Sequence, residues 1–293
     1  MKVLVTGGSG FLGSHVADVL SEHGHHVTIL DIKESPYLKK DQTMVIGDIL
    51  DEKLLAKCVQ NQDIIYHFAA LADLDECVDR PIDSVKFNIL GTVNLLDACR
   101  KNDIQQFVFS STAYVYSQSG YFYRASKQAA ENYVEVYGEL YGLPYTILRY
   151  GSLYGPRADA HNSIYRLIKQ ALSENKIKYH GTGDEIREFI HIHDAAEASV
   201  NILKKDYLNK NLMITGIDSV RYKDILEMIS EMLSNKIEIE IVPSDKKAHY
   251  MVTPYNFVPK SGKKLTVNPH KDLGQGFLEC MQEIYHEIDS DSS

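Results

Sequence analysis

Tyr123 and Lys127 stand four residues apart in the stretch YFYRASK, a spacing that puts a phenol and an ammonium on one face of a helix, one turn apart. A phenol titrates near pH ~10 and is a poor base at neutral pH unless its anion is stabilised. A lysine on the same face can do this, and a positively charged cofactor ring can add to it. Tyr114, Tyr116 and Tyr121 crowd the same run, but the residues four beyond them are Gln118, Gly120 and Ala125. Spacing therefore singles out Tyr123 as the base, with Lys127 to lower its pKa. The other three tyrosines are left to pack, line a pocket or face solvent. Thr112 ends the run FVFSST, where a hydroxyl can bond a reacting oxygen and share its developing charge. Ser110 and Ser111 compete for that role; strand alternation puts Ser110 and Thr112 on one face and Ser111 on the other.

Deprotonating a hydroxyl is useful if its carbon can lose hydride, and the N-terminus offers a place for a hydride acceptor. In VTGGSGFLG, residues Gly7, Gly10, Phe11, Leu12 and Gly13 lie between a strand pattern, KVLVTG, and a helix pattern, FLGSHVADVLSEHG. Gly7 allows the tight turn, Gly10 lets backbone approach a pyrophosphate, and Gly13 lets helix and strand pack closely. Free N–H groups at the helix start then face the phosphates. Asp31 ends the next strand, eighteen residues beyond Gly13, where a carboxylate takes ribose hydroxyls and repels a 2′-phosphate. That favours NAD, although Lys33 close by leaves NADP open. Asp48, followed by Ile49 in GDI, ends a third strand and is a candidate acceptor for the adenine amino group; capping the following helix is its plainer alternative.

These groups need a scaffold, and the alternation of β-branched runs with helical patterns supplies one. TMVIGDI, DIIYHFAA, QQFVFSST and PYTILRY read as strands. DEKLLAKCVQ, the long PIDSVKFNILGTVNLLDACRKN and RASKQAAENYVEVYGELYG read as helices. The expected fold is α/β: a Rossmann-type, doubly wound parallel sheet covered on both faces. A soft boundary near Tyr150 divides residues 1–150, the NAD-binding domain, from residues 151–293, a smaller α/β substrate-binding lobe whose segments can interleave with the first.

In order along the chain, VTGGSGFLGSH, GDI, YHFAA, NILGTVNLLDAC, FSSTAYVY, YRASK, LRYGSLYGPR and GDEIREFIHIHDAAEA resemble the extended short-chain dehydrogenase/reductases, in the nucleotide-sugar epimerase/dehydratase group. The resemblance implies an NAD-dependent enzyme with Thr112, Tyr123 and Lys127 as its catalytic trio. It implies that Phe68, Ala69, Ala70, Asn88 and Ser110 border the cofactor. Arg187, in REFI, would clamp a sugar-nucleotide diphosphate through bidentate hydrogen bonds, with a surface ion pair to Asp184, Glu185 or Glu188 as the alternative. Arg157 would belong to the nucleotide site, and Ser152 stands where the family usually has an asparagine that contacts the sugar nucleotide. Sugar dehydratases carry an Asp-Glu pair directly after the catalytic threonine; Ala113 and Tyr114 occupy those positions, which argues against dehydration. The combined epimerase-reductases place a cysteine at Tyr114, which disfavours that chemistry too. The Thr112–Tyr123 segment is also shorter than is usual in the family.

The expected reaction is oxidoreduction at C4 of a GDP- or UDP-sugar, foremost as a 4-epimerase, with net C4 dehydrogenase or 4-ketoreductase as alternatives. A non-catalytic NAD sensor is the reading from a different class, and an intact trio argues against it. The resemblance also implies a homodimer, or a higher homo-oligomer, built on the helices at 81–101 and 124–141.

A formal net charge of -9 disfavours nucleic acid and membrane surfaces as partners. No apolar run reaches the length of a membrane span. The glycine turn begins after six residues, which argues against a secretory signal. Cys58, Cys77, Cys99 and Cys280 lie far apart, which suits reduced thiols in a cytoplasm. HIHD has metal-ligand chemistry in His191 and His193, but no further cluster completes a site, so no metal is expected. The tail DSDSS is expected to fray.

Overall fold

The computed structural model describes residues 1–234, 236–243 and 249–254. Cys280, the run DLGQGF at 272–277, which also resembles the family, and the acidic tail lie outside the described residues. In chain order the strands are β1 (Lys2–Thr6), β2 (His26–Asp31), β3 (Thr43–Ile46), β4 (Ile64–His67), β5 (Gln106–Thr112), β6 (Tyr145–Tyr150), β7 (Ser152–Tyr154), β8 (Lys176–His180), β9 (Ile186–His191), β10 (Lys210–Ile214), β11 (Ser219–Arg221) and β12 (Glu238–Val242). The α-helices are α1 (Phe11–Glu22), α2 (Glu52–Val59), α3 (Leu74–Asp79), α4 (Pro81–Val85), α5 (Gly91–Cys99), α6 (Tyr121–Tyr141), α7 (Ser163–Glu174), α8 (Ile192–Asn201) and α9 (Tyr222–Met232).

Seven strands form one sheet in the order β10-β6-β5-β4-β1-β2-β3, every pair parallel. Alternation along each strand feeds two separate cores. Val3, Val5, Ile64, Tyr66 and Val108 face α1 and α8, where Val16, Ala17, Leu20, Ala195, Ala196 and Val200 meet them. Leu4, Leu30, Ile65, Phe107, Phe109 and Ile147 face the opposite way, against Leu55, Val59, Leu95, Leu96, Ala130 and Val134 of α2, α5 and α6. With both faces covered, the strands read as continuous apolar runs, as a buried parallel sheet requires. A fully buried leucine or valine here stabilises the fold by roughly 1.5–3 kcal/mol.

The chain does not divide simply at Tyr150. β10 pairs with β6, Thr146 opposite Lys210 and Tyr150 opposite Ile214, and α8 covers the first core, so later residues complete the large sheet. The remaining late elements build small sheets, β11-β9-β7 and β12-β8, around a third core of Leu167, Ala171, Ile177, Tyr222, Leu226 and Ile229.

One expected element is corrected. The run from Pro81 to Cys99 is not a uniform α-helix: a π-helical turn, Lys86–Leu90, joins α4 to α5. Asn88 lies in that turn, and its side chain is tied to the loop after β4, as described below. Such an insertion re-aims the residues on either side of it.

Candidate active site

β1 delivers the chain into the glycine turn with Gly7 at φ 73°, in the left-handed region. A Cβ on Gly7 would lie 2.5 Å from the Ala69 backbone nitrogen, and one on Gly13 would lie 2.3 Å from the Gly7 carbonyl oxygen. Gly10 N-caps α1 without any side-chain cap, so the first N–H groups of that helix are left to an external acceptor. They open into a cleft of about 670 Å³ along the carboxyl edge of the sheet. Its walls include Gly7, Gly10, Phe11, Leu12, Gly13, Asp31, Asp48, Ile49, Phe68, Ala69, Ala70, Ser110, Thr112 and Tyr123. At one end the Asp31 carboxylate is fixed by the backbone N–H groups of Ser9 (3.0 Å) and Lys33 (3.2 Å). The cap of α2 is Asp51, which leaves Asp48 on the cleft wall, accepting from the Leu50 N–H at 2.9 Å.

At the other end, β5 carries Thr112 to the sheet edge and α6 carries Tyr123 opposite, and their side chains hydrogen-bond. Lys127 is buried, 3 % exposed, and donates to the Ser110 carbonyl at 2.8 Å. Ser110 thus contributes its carbonyl to hold the lysine as well as lining the cleft.

The electrostatic expectation for this pair is corrected. Burial is the dominant influence on Tyr123 and pushes its pKa above the ordinary phenol value. Its hydrogen bond with Thr112 works the other way. Burial likewise pulls the lysine down, to about 8, against the raising influence of Glu131. Both groups lose hydration where they sit. The chain's own groups therefore keep the phenol protonated at neutral pH.

Asn88 is buried and acts at one remove from the cleft. Its amide oxygen accepts the Leu71 N–H at 2.7 Å, while its amide nitrogen donates to the Leu71 carbonyl and to Ser126 Oγ, each at 2.9 Å. It thereby ties the loop after β4 to α6 beside Lys127. Thr92 Oγ1 donates to the Asn88 carbonyl at 2.8 Å, so it accepts from His67 Nε2 at 3.0 Å. His67 Nδ1 then accepts from Thr6 Oγ1 at 2.7 Å. Burial holds this histidine's pKa down at about 3, so it is a neutral strut.

Arg187, 4 % exposed, lies off the cleft wall. Its guanidinium donates to the Ile186 carbonyl (2.9 Å) and the Met251 carbonyl (3.4 Å) and stacks over Tyr250 at 4.3 Å. Asp184 pairs instead with Lys223, and no ion pair joins Arg187 to an acid among the described residues. Arg157 pairs with Asp18 on α1 at 2.7 Å and covers the Tyr37 ring, away from the cleft walls. Ser152 sits in β7 and hydrogen-bonds Tyr250. His191 caps α8, its Nδ1 accepting the His193 N–H.

Spacing gave no sign of Leu71, Ala72, Glu76, Arg80, Phe87, Gly151 and Leu153, which also line the cleft. Leu71 and Ala72 follow the carboxyl end of β4, a position that could have marked them; Glu76 lies in the short helix α3 and Arg80 directly follows it, without any motif. An apolar depression of about 460 Å³ along α7 holds none of Thr112, Tyr123 and Lys127.

The family described as NAD dependent epimerase/dehydratase matches residues 3–214. The chain belongs to this family. A putative UDP-glucose 4-epimerase of Methanocaldococcus jannaschii is 34% identical over 298 residues, covering 94% of this chain and 95% of that protein. Among solved structures, a UDP-glucose 4-epimerase of Thermotoga maritima in complex with UDP-glucose superposes with a TM-score of 0.81 at 25% identity, over 88% of this chain and 90% of that one. A UDP-glucuronic acid 4-epimerase of Bacillus cereus, in complex with a fluorinated UDP-sugar and NAD, gives 0.80 at 27% identity, over 88% and 90%. The chain is an NAD-dependent enzyme of the extended short-chain dehydrogenase/reductase type. Its residues fit the cofactor: a Cβ would fill the glycine cradle, α1 starts without a side-chain cap, and Asp31 stands at the strand end.

Proposed function

We propose that this chain is a UDP-sugar 4-epimerase, acting by oxidoreduction at C4 of the sugar. The observation that supports it most is the Thr112–Tyr123 pair at the sheet edge, with Lys127 buried one turn further along α6. Tyr123 accepts the C4 hydroxyl proton, Thr112 bonds the same oxygen as charge develops there, and Lys127 holds the neighbouring backbone through Ser110. When bound, NAD supplies hydride acceptance and return, and its positive ring offsets the burial that disfavours the phenolate. The 4-keto sugar must then turn within its subsite before the carbon is reduced on the opposite face. Glycine-turn residues, Asp31 and Asp48 hold the cofactor, with Asn88 bracing the loop beside it. Late segments supply the sugar-nucleotide side. There Arg187 is a buried cation resting on carbonyls and aromatic faces, a ready partner for a diphosphate, and Ser152 adjoins it through Tyr250. Arg157 takes part only by fixing the late segment to α1.

A panel of UDP- and GDP-sugars, followed by NMR and by NADH absorbance, tests this reading. The expected result is a C4 diastereomer of a UDP-sugar without net NADH. Accumulating NADH with a keto-sugar would make the chain a net dehydrogenase, and no turnover would leave an NAD-binding protein. In the same assay Arg187→Met should raise KM about 10²-fold with a smaller change in kcat; an unchanged KM removes the clamp.

The assembly we propose is a homodimer in the cytoplasm. Val85 and Ile82 of α4, Leu90, and Val136 and Leu140 of α6 are exposed, Ile82 at 66 % and Leu140 at 67 %. Cys58, Cys77 and Cys99 are buried free thiols, in keeping with a reducing compartment. Among the described residues no helix is long and apolar enough to cross a membrane. Light scattering should return twice the chain mass at micromolar protein, and a monomer mass would refute the assembly.

A further inference from the structure

Between the buried Arg187 and the catalytic Tyr123 stand two aromatic rings. Tyr250 lies under the Arg187 guanidinium at 4.3 Å. Its ring centroid is 4.6 Å from that of Tyr114, and the Tyr114 ring meets Tyr123 edge-on at 6.3 Å. Neither ring is among the walls of the cofactor cleft, but a sugar nucleotide held at both Arg187 and Tyr123 would pass them.

The two differ in how firmly they are held. Tyr250 belongs to the segment 249–254, which lies along β9 through the Met251 carbonyl accepting the Ile186 N–H at 2.7 Å. Tyr114 is built into the catalytic edge itself. It sits in the single 3₁₀ turn Ala113–Tyr116, whose N-cap is Thr112, the threonine Oγ1 accepting the Tyr114 N–H at 3.2 Å. Gly120 makes room for its ring: a Cβ there would lie 2.7 Å from Tyr114 Cδ1, and the backbone has φ +93°. The hydroxyl hydrogen-bonds His249 Nδ1 at 2.6 Å. The short connection from Thr112 to Tyr123 thus folds one of its tyrosines back beside the base.

We infer that Tyr114 sets the size limit of the sugar subsite, so that the substrate is a nucleotide sugar whose ring carries no bulky substituent such as an N-acetyl group. The inference rests on the 4-epimerase reading. That reaction turns the keto-sugar over beside Tyr123, and the turning ring sweeps its substituents past any fixed neighbour of the base. A rigid phenol ring there restricts the sweep, whichever substituent leads. Interiors resist even an added methylene, and an acetamido group is larger than that.

The test compares kcat/KM for UDP-glucose and UDP-N-acetylglucosamine in wild type, Tyr114→Ala and Tyr114→Phe, with cofactor content and thermal melting as folding checks. Wild type should favour UDP-glucose. The alanine variant should lower that preference about 10-fold or more, while the phenylalanine variant, which keeps the ring, should keep it. Should the alanine variant fail to fold, Tyr114→Leu, apolar against Gly120 but without the ring, reads the same ratio. An unchanged ratio in the truncated variant, an equal shift in Tyr114→Phe, or a wild-type preference for the acetylated sugar overturns the inference while the epimerase reading stands. Absence of turnover with every nucleotide sugar removes both.

Discussion

Tyr123→Phe should lower kcat by about 10²–10⁴-fold while the protein keeps its cofactor and its melting temperature. The change deletes one oxygen and leaves the ring, so the edge-on contact with Tyr114 and the start of α6 are retained. What disappears is the partner of Thr112 and the proposed acceptor for the substrate proton. Because burial raises this phenol's pKa, deprotonation becomes easier towards alkaline pH. Wild-type kcat/KM should therefore rise with pH through the mildly alkaline range, and the residual rate of the variant should lack that rise. Steady-state rates across pH, with NAD measured after denaturation, decide the matter. A variant within about threefold of wild type, or one sharing its pH profile, would mean that another group carries the proton.

Gly7→Ala is the second large effect expected, and it falls on the cofactor. The native φ of 73° is strained for any L side chain, costing roughly 1–2 kcal/mol. The added carbon would also lie 2.5 Å from the Ala69 nitrogen and 2.7 Å from the Phe68 carbonyl carbon. Both are backbone atoms at the end of β4, held there because the Phe68 and Ala69 N–H groups bond the Thr6 carbonyl. Neither side can yield without moving the cleft wall. A total of roughly 2–5 kcal/mol follows, or a drop in melting temperature of the order of 5–15 °C for a chain of this size. NAD affinity should fall about 10²-fold or more, since the shifted wall is the one facing the cofactor. Calorimetry and a fluorescence titration with NADH measure both; a variant that binds and melts like wild type would mean that the turn has slack the structure does not show.

The contrast between these two sites shows what a sequence can carry. The glycine turn was legible because its demands are local: a tight turn, then a close approach of helix to strand. Tyr123 and Lys127 were legible as a pair because helical spacing is also local. That the sheet is parallel and covered on both faces followed from the alternation of strand and helix patterns; the order of its strands did not. The sign of the Tyr123 shift was not legible, because it depends on burial by β5, α3 and the late segment, all brought together only by folding. Asn88 could be associated with the cofactor edge by resemblance, but its grip on Leu71 and Ser126 depends on the π-helical turn, which no residue pattern announces. Tyr250 gave no signal at all: it sits in no motif and matters through what it touches.

The pairing of β6 with β10 has a consequence for how the molecule is made. As the polypeptide leaves the ribosome, β1 to β6 can assemble while the outer flank of β6 still exposes unpaired backbone. The apolar side of α1 then also lacks α8. Only when residues through Ile214 emerge can that flank close, and such long-range parallel pairings form slowly. Until then the nascent chain presents an adhesive margin to its neighbours, and its window of vulnerability is set by the stretch of chain between β6 and β10.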